Sequence, residues 1–214
     1  MAKYIKIVLC SVATLFFTGC AQSALNYTPP SNFNPDDIQT TKTISKDYNK
    51  AWDELVNKLS DNSFVINNMN KESGFINLDF SVSNPVSYVD CGRWIGYTKN
   101  LTGEANYNFS GAESTRFSFI SQSLTNVQRQ TTLSGKINIL LQEVSPKKLM
   151  YKVNVRYVLS SIDTRYITYP AQIVPINWAV KFGSKERGRN DSGGQTECQT
   201  TGKLEADLLN FISE

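Results

Sequence analysis

The clearest structural pattern in this chain of 214 residues is the run LSGKINILLQEVSPKKLMYKVNVRYVL, residues 133–159. Apolar side chains alternate with polar ones on both sides of the short segment Ser-Pro-Lys-Lys at 145–148. A period of two places the apolar side chains on one face of a β-strand, and two such runs joined by so short a turn indicate an antiparallel hairpin. We therefore expect an antiparallel sheet at the centre of the fold.

Shorter runs on either side of this hairpin indicate further strands. Alternation is clear over residues 76–82 and weaker over 104–109 and 176–182, and residues 63–68 form another short strand candidate. The segment GSKERGRNDSGGQ at 183–195 is polar and rich in glycine, which predicts a mobile loop.

Amphipathic helices are predicted at both ends of this strand-rich region. Apolar residues share one helical face over 48–59, with Ser45 as the candidate N-cap, and again over 204–212, after Thr200 and Thr201. The predicted fold class is α+β, an antiparallel β-sheet with the N- and C-terminal helices packed on one face. Residues 43–214 are predicted to form this single domain.

The segment before the domain, residues 20–42, is predicted to be a flexible tether. It contains Pro29, Pro30 and Pro35, few apolar residues and no periodicity. Proline fixes φ and removes a hydrogen-bond donor, so such a segment stays extended. Alternatively, the segment lies along a partner and becomes ordered there.

The first nineteen residues have the features of a secretory signal. Lys3 and Lys6 precede an uncharged run over 7–17, and small residues follow before Cys20. A membrane-spanning helix needs ~20 apolar residues, so this run is too short to be one. Residues 1–19 are therefore predicted to be a signal peptide.

The sequence Thr-Gly-Cys at 18–20 resembles the lipobox of bacterial lipoproteins. The resemblance implies that Cys20 becomes the N-terminus and carries a diacylglycerol and a further acyl chain such as palmitate, enough for stable membrane anchoring. Ala21 and Gln22 follow, without an aspartate, which implies the outer membrane of a Gram-negative cell, on its periplasmic face. The open alternative is cleavage after Ser23, which would release a soluble periplasmic protein.

The remaining cysteines indicate a disulfide bond. Cys10 would leave with the signal peptide, so Cys91 and Cys198 form an even pair in a compartment where disulfides persist. Two buried free thiols are the alternative. A zinc site is disfavoured, because the chain has no histidine and two cysteines cannot fill four tetrahedral positions.

Composition argues against catalysis and against nucleic-acid binding. The absence of histidine excludes Ser-His-Asp, Cys-His and histidine-metal chemistry, and the acidic residues fall on solvated segments. Lys and Arg number 22 against 19 Asp and Glu, without a basic block. We expect neither an enzyme nor a cofactor or metal site.

Partner binding is the remaining class of function, and the segment SYVDCGRWIGYT at 87–98 is its best candidate. Arg, Trp and Tyr are enriched at binding hot spots, and loops on a rigid scaffold often carry function. The candidate partner-binding residues are Tyr88, Arg93, Trp94 and Tyr97. Alternatively, these aromatic side chains fill the end of the sheet beside Cys91.

The run DYNKAWDELVNKLSDNSFVINNMNKESGFINLDF, residues 47–80, resembles the start of helix-grip domains in bacterial outer-membrane lipoproteins, such as the lipoprotein C component of the β-barrel assembly machine. The resemblance implies an accessory or assembly factor that binds an envelope protein. The alternatives are an apolar or lipid-like ligand in a groove between the sheet and the C-terminal helix, or a structural surface lipoprotein. The sequence leaves open the identity of the partner or ligand, the oligomeric state, and whether the protein faces the periplasm or is exposed at the cell surface.

Overall fold

β-Strands dominate the computed structural model, which describes residues 21–62 and 64–212. Strands hold 58% of these residues, whereas helices hold 14%. The predicted α+β helix-grip fold is therefore wrong: the described chain has two short helices and several antiparallel sheets. The prediction failed because several strands lack the apolar alternation that would have identified them.

Thirteen strands and two helices are described. The strands are β1 (Gln22–Thr28), β2 (Thr41–Ile44), β3 (Val65–Asn70), β4 (Phe75–Val82), β5 (Val89–Asp90), β6 (Arg93–Asn100), β7 (Gly103–Ser110), β8 (Thr115–Ile120), β9 (Leu124–Ser145), β10 (Lys148–Ile167), β11 (Gln172–Gly183), β12 (Gly188–Arg189) and β13 (Glu197–Thr200). The helices are α1 (Tyr48–Asp61) and α2 (Lys203–Leu209), with short 3-10 helices at Pro35–Asp37 and Pro85–Ser87.

The predicted central hairpin is confirmed as the pair β9–β10, which is longer than expected. The two strands pair antiparallel from Ser145–Lys148 at the turn to Thr125–Ile167 at the far end. The prediction stopped too early, because beyond Leu133 the buried face of β9 carries Thr131, Arg129 and Thr125, with Val127 as the one fully apolar side chain among them. Polar side chains on the inner face hide the alternation.

The β9–β10 hairpin connects two packed regions. The two strands lie at the centre of the largest sheet, which has the order β11-β10-β9-β4-β3. In addition, β2 pairs with β10, and β8 pairs with β9. Near the 145–148 turn, the main core combines this sheet with α1 and α2. Towards the other end, a second sheet of order β1-β6-β7 lies against β8, and a smaller core of Phe109, Phe117 and Val127 fills the space between them.

Helix α1 forms where its apolar periodicity predicts. Trp52, Leu55 and Leu59 lie buried in the main core. The N-cap is Asp47, whose side chain accepts the Lys50 N–H, and not the predicted Ser45. At the other end of the chain, α2 is fixed by Tyr151, whose hydroxyl donates to the Leu208 carbonyl at 2.9 Å.

The predicted flexible tether is largely built into the fold. Residues 22–28 form β1 and pair antiparallel with β6, and residues 41–44 form β2 and pair with β10. The predicted mobile loop at 183–195 is also docked, since β12 pairs with β13. Cross-strand hydrogen bonds with distant parts of the chain order these segments, and such partners are invisible in local composition.

The predicted signal peptide, residues 1–19, and Cys20 lie outside the described residues. Within the part of the chain that is described, no helix combines the length and the apolar character that crossing a membrane requires.

Candidate functional site

The predicted disulfide between Cys91 and Cys198 is present, with an S–S distance of 2.04 Å. Both cysteines are fully buried in the main core. Cys91 directly follows β5 and Cys198 lies in β13, two strands that pair with each other. The bond therefore connects the start of the candidate segment 87–98 to the residues just before α2.

Tyr27 of β1 attaches the N-terminal strand to this disulfide. Its hydroxyl accepts the Glu197 N–H at 2.8 Å and lies 3.1 Å from the carbonyl oxygens of Cys91 and Glu197. Burial raises the pKa of this hydroxyl, so it stays protonated and can donate. Strand β1 is thus held to the disulfide-linked strands at the Thr28 end of its pairing with β6.

Strand β6 contains three of the four predicted partner-binding residues and divides them between its two faces. Arg93 and Tyr97 point outward together with Ile95, and all three are exposed. The Arg93 guanidinium donates to Asn108 Oδ1 of β7 through Nε at 3.0 Å and Nη2 at 2.7 Å. The outer face of β6 thus presents an ordered row of a cation, an aliphatic and an aromatic side chain.

The other two candidates are partly buried and pack against the two cores. Trp94 packs against the second core, 4.9 Å from the Tyr27 ring between centroids. Tyr88 packs against the main core, and its carbonyl accepts the Thr201 N–H at 2.9 Å. For these two residues the alternative interpretation, aromatic side chains filling the end of a sheet, fits the structure better.

A groove of about 600 Å³ adjoins the Arg93 end of this row. It opens to solvent and combines apolar side chains with Asp90 and Arg93. Its lining includes Pro29, Pro30, Val86, Val89 and Ile95.

Gly92 fixes the groove wall, because its φ of +68° favours glycine and an added Cβ would lie 2.3 Å from the Thr28 carbonyl oxygen. Sequence reasoning missed Ile95, Pro29 and Pro30 as site residues. Pro29 and Pro30 were assigned to the tether.

A second open pocket of about 510 Å³ lies beside α2. Apolar side chains from β4, from α2 and from the residues just before β3 and just after α2 form one part of the lining. Asn62, Asp207 and Asn210 contribute polar groups. The apolar members are Phe64, Phe80, Val82, Leu204, Leu208 and Phe211.

A buried ion pair lies between the second core and β11. The guanidinium of Arg129 donates to both carboxylate oxygens of Asp163, at 2.9 and 2.8 Å, and Ser161 Oγ donates to Asp163 Oδ1 at 3.1 Å. Three aromatic rings surround the guanidinium at 5.2–5.8 Å, those of Phe109, Phe117 and Trp178. This enclosure indicates a structural pair without access for a substrate.

In the described residues, no three His, Cys, Asp or Glu side chains are arranged to hold a metal ion. Comparison of the chain with protein families, with curated proteins and with solved structures finds no match.

Trp94→Ala is expected to lower the free energy of unfolding by about 2 kcal/mol or more, because a large side chain is removed from the second core. Trp94→Phe is the matched control. It keeps a ring in place and removes the indole Nε1–H, which is buried without a partner, so its effect should be small. Urea denaturation of both variants checks this. Equal stability of Trp94→Ala and the parent would contradict the placement of Trp94 inside the core.

Proposed function

We propose that this protein is a lipid-anchored lipoprotein of the bacterial outer membrane that binds an envelope protein and has no catalytic activity of its own. The anchor is Cys20, and the binding surface is the row Arg93, Ile95 and Tyr97 with the adjoining groove. The proposal rests on the lipobox-like motif and on this surface. It does not rest on the helix-grip resemblance, whose implied fold the structure overturns.

The row on β6 carries the proposal. Arg and Tyr are the residue types enriched at binding hot spots, and exposed Ile95 adds apolar area between them. The row is held in place from several directions. Strand β6 pairs with β1 on one side and with β7 on the other, and Arg93 is hydrogen-bonded to Asn108. The disulfide lies close by. A preorganised surface loses little conformational entropy when a partner binds.

The groove favours a protein segment as the occupant. It is open along one side, whereas small-molecule sites enclose most of their ligand. The lack of histidine throughout the sequence also supports a binding role over catalysis.

Photocrosslinking in intact envelopes tests partner binding. Arg93→Glu combined with Tyr97→Ala should reduce recovery of a crosslinked protein at least ~10-fold, as expected for loss of two hot-spot side chains. Lys148→Glu, a charge reversal on an exposed residue at the opposite end of the β9–β10 hairpin, is the control and should leave recovery unchanged. Recovery of the same partner by all three proteins would contradict the proposed surface.

Mass spectrometry of the N-terminal peptide tests the anchor separately. We expect residues 1–19 to be absent and Cys20 to carry the diacylglyceryl and acyl groups. An unmodified thiol at Cys20 would reject lipid anchoring and would leave the crosslinking result standing.

The pocket beside α2 supports a second candidate function, binding of an apolar or lipid-like ligand. Its volume of about 510 Å³ lies within the usual range for small-molecule sites. Its lining combines apolar side chains with a few polar groups, as such sites commonly do. Native mass spectrometry of protein extracted gently from envelopes would distinguish the two functions. A bound lipid that is present in the parent protein and absent from the Phe211→Asp variant would favour ligand binding in this pocket.

A further inference from the structure

Three hairpin turns come together at the end of the molecule where β1 begins. They are the β6–β7 turn at 101–102, the β8–β9 turn at 121–123 and the β10–β11 turn at 168–171. We call this surface the turn end.

Hydrogen bonds and strand register fix the grouping of the turns. Gln22 at the start of β1 pairs with Lys99, next to the first turn. Ser23 Oγ accepts the Ile120 N–H at 2.8 Å, beside the second turn. The N–H of Thr168, in the third turn, donates to the Leu124 carbonyl at 3.1 Å.

Large apolar side chains are exposed on two of these turns. Leu101 is 90% exposed, Tyr169 is 83% exposed and Ile173, just after the third turn, is 68% exposed. Tyr166 is also exposed nearby. A cluster of exposed apolar side chains within one end of a soluble body indicates contact with a protein or a membrane.

Few free charges surround the turns. Residues 98–102, 119–127 and 164–176 contain no acidic residue, whereas Lys99 and Arg165 are basic. Glu104 is paired with Lys99 at 3.6 Å. Arg165 is half-buried, with its guanidinium carbon 5.7 Å from the centre of the Phe119 ring. The turn end therefore offers apolar tips and no unpaired carboxylate in these ranges, so contact with the headgroup region would bury apolar area without desolvating a free negative charge.

We infer that the turn end contacts the bilayer directly, with Leu101, Tyr169 and Ile173 inserted at the boundary between headgroups and acyl chains. The choice of lipid as occupant, over a second copy or another protein, rests on the proposed acylation of Cys20. Only Ala21 separates Cys20 from the first residue of β1, so the acyl chains attach within about 7 Å of the turn end. With β1 docked, no long linker holds the body away from the membrane.

This orientation places the proposed partner-binding groove on the far side from the bilayer. The groove lies beside Thr28, at the other end of β1. Seven residues of strand span about 20 Å. The groove and the Arg93 end of the row would therefore face away from the membrane, where a partner can approach from the periplasm, whereas Tyr97, which pairs with Ala24, lies nearer the turn end.

Vesicle binding by acyl-free protein tests the inference independently of Cys20. The chain from Ala21 onward contains every described residue, so it keeps all the contacts reported above. It should bind vesicles of phosphatidylethanolamine and phosphatidylglycerol in a flotation assay. The triple variant Leu101→Ser, Tyr169→Ser and Ile173→Ser should bind at least ~10-fold more weakly, because three large apolar side chains are lost from the contact.

A matched triple variant controls for general loss of apolar surface. Val65, Met69 and Val144 are 51–60% exposed and lie in β3 and near the 145–148 turn, away from the turn end. Their replacement by serine should leave vesicle binding unchanged. Equal weakening by the two triple variants, or no vesicle binding by the parent chain, would overturn the inference.

Two further measurements decide the occupant. A Leu101→Trp variant should show fluorescence quenching by brominated lipids, whereas Val144→Trp should not. If instead the parent is a dimer that the first triple variant converts to a monomer, without quenching of Leu101→Trp, the turn end joins two copies and the inference is wrong. Acylation of Cys20 found without vesicle binding would reject the contact and keep the anchor.

Discussion

Replacing Arg129 with methionine is expected to lower the free energy of unfolding by about 3–5 kcal/mol, the usual result of breaking a buried ion pair from one side. Both side chains are buried, and the pair is bidentate. Methionine would fill most of the space among Phe109, Phe117 and Trp178 but would leave the Asp163 carboxylate without its counterion. Desolvation of that uncompensated charge is the source of the loss. Urea denaturation, followed by circular dichroism, measures it.

The double variant Arg129→Met, Asp163→Leu separates this explanation from simple loss of packing. It removes both charges, so it should recover most of the lost stability or exceed that of the parent. Lys136→Met is the matched control for an exposed pair, since Lys136 lies 3.3 Å from Asp79 at the surface. Its effect should stay within about 1 kcal/mol. Equal stability of the single and double variants would contradict the charge explanation.

The pH dependence of stability gives a further check on the same pair. Burial raises the pKa of Asp163, but the hydrogen bonds and charge of Arg129 outweigh this and hold the pKa below its usual value. The pair therefore stabilises the fold above the unfolded pKa of ~3.9, and this contribution is lost as the pH falls through the folded pKa. The double variant should lack this part of the acid sensitivity.

The ion pair also shows where sequence reasoning could have gone further. Arg129 and Asp163 were not singled out, because charged residues in an alternating strand are normally assigned to the solvent face. Yet the register of the predicted hairpin, extended outward from the 145–148 turn, pairs these two residues directly. An opposite charge at the paired position, with polar neighbours Thr131 and Ser161 on the same face, was an available signal.

The central hairpin and α1 were predicted well, because each carries its full apolar pattern within its own residues. Strands β1 and β6 were missed for the opposite reason. In β6, apolar residues fall on both faces, with Trp94 inside and Ile95 outside, so no period is visible. Strand β1 is ordered by pairing with β6 and by the Tyr27 hydrogen bonds. Tertiary partners of this kind override local propensity.

The candidate segment 87–98 was identified by residue type, but its division into two faces depended on strand geometry. Arg93 and Tyr97 are two apart from Ile95, so all three share the outer face of β6. Trp94 lies on the inner face for the same reason. Once β6 is recognised as a strand, the alternation alone separates the surface candidates from the core residue.

Removing the disulfide with Cys91→Ser and Cys198→Ser together is expected to lower the free energy of unfolding by about 2–5 kcal/mol. The bond joins residues 107 positions apart, and closing a loop of about 100 residues removes about 4.7 kcal/mol of chain entropy from the unfolded state in the loop-entropy description. The serine hydroxyls, buried in an apolar core, add to the loss. Denaturant unfolding with and without reductant measures the change, and reductant should affect only the parent chain.

The loss should also reach the proposed binding surface selectively. The carbonyl of Cys91 lies 3.1 Å from the Tyr27 hydroxyl, and Gly92 forms part of the groove beside Arg93. The groove and its partner contact should therefore weaken in the Cys91→Ser, Cys198→Ser variant under conditions in which that variant stays folded. The turn end lies at the other end of β1, so vesicle binding should persist. If the double variant lost vesicle binding but kept partner crosslinking, the disulfide would not be what maintains the shape of the groove.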